Sequence, residues 1–121
     1  MKRFIIMLLF IATVAMAADL TGTWSGSFKA EGSDHSIPQL LMLKQQGRTL
    51  AGTAGPNEGE QYPIENGKID GNTASFQVTT GEWKFTYNLK AEKDSLTGDL
   101  KLESMSEVRT AKVALTRIKE N

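Results

Sequence analysis

No cysteine occurs in the 121 residues, and histidine occurs once, as His35 in the stretch GSDHS. The first absence excludes disulfide staples, thiolate nucleophiles and cysteine-rich metal sites. The second removes paired-histidine chemistry, because His35 beside Asp34 in a polar loop reads as a solvated side chain and a metal site asks for about three or four ligands. There is no Gly-x-Ser-x-Gly elbow, no HExxH helix and no dinucleotide glycine fingerprint. GTAGPNEG has the glycines of a phosphate cradle without its Lys-Ser/Thr ending. The carboxylate pairs Glu58/Glu60 and Glu103/Glu107 lie in a loop and around a turn, with nothing to hold them at the roughly 5–9.5 Å spacing of glycosidase pairs, and read as surface charge. The sequence therefore predicts no catalytic residue, no metal and no cofactor, and a protein that is not an enzyme.

An excess of one charge is lacking too, since 14 basic residues balance 14 acidic ones. Long apolar runs are absent but for Phe4–Val14, interrupted only by Thr13 and preceded by Lys2 and Arg3. That run is short of the about 20 residues a membrane span needs, and Ala15-Met16-Ala17 supplies small residues where a signal peptidase reads. The expectation is a cleavable signal peptide over residues 1–17 and a single domain over 18–121, exported to the periplasm or the medium. With no cysteine after the cleavage point for acylation, the mature form is expected to carry no membrane anchor. Without Lys2 and Arg3, twelve basic residues face fourteen acidic ones, so no basic surface argues for nucleic acid.

What remains is period-two alternation, with no apolar 3.6-residue pattern held across three turns. In EWKFTYNLK, Trp83, Phe85, Tyr87 and Leu89 share one face, and in SLTGDLKLE, Leu96, Gly98, Leu100 and Leu102 do. Six further strands are predicted over Thr21–Lys29, Gln39–Gln46, Thr49–Ala54, Gln61–Ile69, Thr73–Thr80 and Arg109–Ile118, separated by turn chemistry of which DGN at 70–72 is the clearest hairpin signal. Two connections are expected to be long, at 30–38 and 55–61, the first with Ile37 and Pro38 placed to act as a lid. Four consecutive apolar residues, Leu40–Leu43, leave the facing of their strand open. LTG at 20–22, LAG at 50–52 and LTG at 96–98 put glycines at corresponding places in successive hairpins, as sharp coiling of a closing barrel requires. A flat-cored sandwich with incidental turn glycines is the competing architecture.

GTW near the start of the predicted domain, hairpins carrying LAGTA and LTGDL, and a last strand ending LTRI resemble the calycin type of barrel, that is lipocalins, fatty-acid-binding proteins and the avidin/streptavidin family. The resemblance implies an all-β, eight-stranded antiparallel up-and-down β-barrel. It also implies that Gly22 and Trp24 plug one end and that Arg117 lies across the indole, a structural closure of the barrel. Positions that contact ligand in avidin-like chains fall on Gly26 and Ala54, so biotin binding is not implied. An interior of this size is filled by side chains or holds one small ligand. Phe28, Phe76, Trp83, Phe85 and Tyr87 are the candidate ligand-binding residues, for a small apolar or amphipathic ligand such as a fatty acid or aromatic metabolite. The alternative is an envelope protein partner bound through the long loops around a filled core.

Overall fold

The structure, a computed structural model, describes residues 19–118; the predicted signal peptide lies outside the described residues. Nine strands follow one another: β1 (Gly22–Ala30), β2 (Ile37–Gln46), β3 (Thr49–Asn57), β4 (Glu60–Pro63), β5 (Glu65–Asp70), β6 (Thr73–Thr80), β7 (Trp83–Glu92), β8 (Ser95–Glu103) and β9 (Val108–Arg117). β4 and β5 are two halves of one barrel strand, parted at Ile64, and both pair with β3. Every pairing is antiparallel, and the sheet closes because β1 pairs with β2 on one side and with β9 on the other, from Trp24↔Arg117 to Ala30↔Ala111. The protein is thus a closed, eight-stranded antiparallel barrel without helices among the described residues, compatible with the calycin type.

Alternation decides the inside. Trp24, Leu41, Ala74, Phe76, Leu89, Leu96, Leu100 and Leu115 are almost fully buried and converge on one core. The ambiguous run resolves with Leu41 and Leu43 inward and Leu40 and Met42 half-buried on the outer face. Strands coil tightly where glycine lets backbones meet: a Cβ on Gly26 would lie 1.9 Å from the Ala114 carbonyl oxygen, and one on Gly98 2.1 Å from that of Asn88.

The two ends differ. At one, hairpin turns after β2, β5 and β7 gather with both ends of the described chain, and Trp24 is sealed in. Its indole N–H donates to the Leu20 carbonyl at 3.0 Å. The Arg117 guanidinium lies 4.4 Å from the ring centroid and donates to the carbonyls of Thr21 and Asp19 and to the Asp94 carboxylate. Gly22, at φ 142°, leaves the room it needs, since a Cβ there would lie 3.2 Å from Arg117 Nη1.

At the other end two expectations are corrected. Residues 55–61 do not form a long loop: β3 runs to Asn57, β4 starts at Glu60, and a tight turn joins them with the Asn57 side chain accepting from the Gly59 N–H at 2.9 Å. Ile37 and Pro38 do not belong to a lid, because both are in β2, opposite Phe28 and Ser27 of β1, and the connection shrinks to residues 31–36. The single strand expected over Gln61–Ile69 is also broken. Pro63 has no N–H to share, Asn66 sits at φ 52°, and the β5–β6 register shifts between Glu65 and Lys68.

Candidate functional site

That break shapes the open end. β5 pairs with β6 only as far as Glu65↔Gln77, whereas β4 pairs with β3 and has no ladder to β6. Above Gln77 the main-chain ladder therefore ends, leaving a side-chain tie from Thr79 Oγ1 to Glu65 Oε1 at 3.2 Å, and a cleft of about 330 Å³ lined by Tyr62 of β4 and Val78 of β6 enters the barrel. Its size lies at the lower end of small-molecule pockets.

Every strand but β5 and β9 contributes a wall. β1 contributes Phe28, the start of β2 Ile37 and Gln39, and β3 Ala54. β6 supplies Val78 and Thr80, paired in register with Phe85 and Trp83 of β7, and Leu102 of β8 stands opposite Phe85. Tyr62 and Glu60 of β4 form the facing rim, with the Tyr62 hydroxyl donating to Glu60 Oε2 at 2.6 Å. This bond to a carboxylate, with lesser contributions from desolvation and the negative charge, raises the Tyr62 pKa above the ordinary phenol value.

The floor is where polarity is handled. Gln39 is 7% exposed, the one buried polar residue among those described, and its Oε1 accepts from the Tyr87 hydroxyl at 2.5 Å while its Nε2 donates to the Pro38 carbonyl. Burial pushes the Tyr87 phenol far above its usual pKa. The two groups are spent largely on each other, which leaves ring and methyl surface to line the space. Phe76 stacks against Tyr87 with centroids 4.6 Å apart.

Of the five candidate ligand-binding residues, Phe28, Trp83, Phe85 and Tyr87 come together in the cleft wall. Phe76 does not reach it; it is core, 1% exposed and behind Tyr87. Gly22, Trp24 and Arg117 meet one another at the opposite end of the barrel. Gln39, Tyr62 and Leu102 were not among the candidates. Alternation places Leu102 with Leu100 on the inner face, but the Leu40–Leu43 run conceals the parity of Gln39, and Tyr62 depends on a strand break.

No group of His, Asp and Glu able to hold a metal ion is present among the described residues. Compared with protein-family models, with curated proteins and with solved structures, the chain gives no match.

Proposed function

We propose that the protein binds a small apolar or amphipathic molecule in the open-end cleft, without catalysis, as an exported barrel of the calycin kind acting in the periplasm or the medium. The observation that carries this reading is the cleft itself: about 330 Å³ walled by Phe28, Val78, Trp83, Phe85, Tyr87 and Leu102, in a barrel whose remaining interior is packed. Apolar walls over a floor whose two polar groups, Gln39 and Tyr87, are bonded to each other, with the charged group at the rim, form the arrangement that takes up a ligand tail and leaves its head near solvent. Export rests on residues 1–17, and the calycin kinship on the GTW and LTRI stretches at the closed end.

The neutral dye Nile red tests it. Its fluorescence should rise and shift to the blue on titration with the protein, and Leu102→Trp, which fills the cleft from its rim, should weaken that signal at least about tenfold with the far-ultraviolet spectrum unchanged. Absence of dye binding by the unsubstituted protein would refute the reading.

A protein partner is the second reading, favoured by the apolar residues beside the mouth, where Met105 is 100% and Val108 60% exposed. It requires capture of an exported protein that is lost in Met105→Ser/Val108→Ser.

A further inference from the structure

The turns around the rim of the cleft are acidic. The four segments that turn the chain at the open end, residues 31–36, 57–60, 80–83 and 103–108, contain Glu31, Asp34, Glu58, Glu60, Glu82, Glu103 and Glu107 and no lysine or arginine. Three of these carboxylates have a cation nearby: Glu103 pairs with Lys101 at 3.8 Å, Glu107 with Arg109 at 3.0 Å, and the charge of Glu31 acts on Lys112. Glu58, Glu60 and Glu82 have no ion pair among the described residues. The cleft wall agrees with its surroundings: Glu60 is its one charged residue, and no Lys, Arg or His lines it.

Such a mouth discriminates. An anionic head entering it would lose hydration and meet an excess of carboxylates, the inner-face cation Arg109, opposite Leu102, being already paired with Glu107, whereas a cationic head gains their field. Glu60 stands on the rim beside the ring of Tyr62, with Trp83 across the gap, so an ammonium there also has aromatic faces within the same opening. Lys84 on β7 and Lys101 on β8 alternate away from the interior, and Arg109 of β9, opposite Leu102, is held by Glu107. Beneath the rim, the Gln39–Tyr87 pair presents no charge to a tail.

We infer that the occupant is a cationic amphiphile, an alkyl- or arylammonium compound whose apolar part fills the cleft and whose head stays at the acidic mouth, and that carboxylates of the fatty-acid type are disfavoured. This rests on the binding reading above and narrows it to a ligand class.

Three decyl compounds with one tail and different heads test the inference by displacement of Nile red at about pH 7, where the amine is charged and the acid ionised. Decylammonium should bind about tenfold more tightly than decanoate at low ionic strength, with decanol between them, and the gap should narrow at about 0.5 M salt. In the Glu58→Gln/Glu60→Gln/Glu82→Gln variant the ratio of the two ionic affinities should fall at least threefold, again by about the worth of a few screened charges. Decanoate binding as tightly as decylammonium, or a ratio unmoved by the triple substitution, would overturn the charge inference while leaving the apolar cleft in place. Failure of all three compounds and of Nile red to bind would remove both.

Discussion

Tyr87 shows how one residue links the interior to pH. Its phenol is buried beside the Gln39 amide, and desolvation raises its pKa in the folded state. In the unfolded chain the same phenol ionises near pH 10. Above that pH the unfolded state binds fewer protons than the folded one, so stability is present in full below about 10 and declines as the pH climbs through the interval up to the raised folded value. Tyr87→Phe removes this linkage at the cost of a hydrogen bond, about 1 kcal/mol or somewhat more because Gln39 is left without its donor. Urea midpoints should therefore fall steeply between about pH 9 and about pH 11 in the unsubstituted protein and less steeply in Tyr87→Phe. Equal slopes would place the phenol in solvent. The inward facing of Tyr87 was legible from alternation alone, whereas its partner was not, since a glutamine on an inner face is recognised only once the strand's parity is known.

Elements depend on backbones approaching one another as much as on side chains. At Gly26 an added Cβ meets main-chain atoms of β9 at 1.9 and 2.8 Å, and no rotamer can relieve that contact. At Gly71 in the β5–β6 turn it meets nothing within 4 Å, and only the positive φ of 64° opposes it. Gly26→Ala should accordingly cost more than Gly71→Ala, about 2–3 kcal/mol against about 1 kcal/mol, as read from urea unfolding. Of the repeated glycines, Gly52 and Gly98 are approaches of the same kind as Gly26, an added Cβ lying 2.0 and 2.1 Å from the carbonyl oxygens of Met42 and Asn88. The repeats thus made curvature visible in the sequence, and period two made nearly every strand visible. Two features escaped for physical reasons. GPNEGEQ has the composition of a loop, yet Gly55 and Pro56 lie within β3, which runs on to the turn. The break at Ile64 leaves the alternation on either side regular but shifts its phase, from Tyr62 and Ile64 inward to Gly67 and Ile69 inward, and over so short a stretch that shift and Pro63 do not outweigh a single-strand reading.

For the molecule as a whole, closure is complete at one end and interrupted at the other. Around Trp24 the ladders β1–β2 and β1–β9 are continuous, and Arg117 ties β9 to the carbonyls of Asp19 and Thr21. Toward the mouth, β4 hydrogen bonds to one neighbour in place of two, and Val78–Thr80 of β6 has a ladder to β7 alone. Backbone groups with one strand neighbour and little buried apolar cover open locally, while those sandwiched between two strands over a packed core open only when the whole structure does. Amide hydrogen exchange should divide along this line. Amides of Leu41, Leu89, Leu96 and Leu115 should share one slow class with a steep dependence on urea. Those of Gln61, Tyr62 and Thr80 should exchange at least about a hundredfold faster with little urea dependence. Uniform protection around the barrel would mean that the gap between β4 and β6 is bridged in solution. Decylammonium supplies the complementary measurement: a molecule seated between Tyr62 and Val78 spans that gap, so it should slow exchange of the mouth amides selectively and leave the class around Trp24 moved only by the overall gain in stability that binding confers.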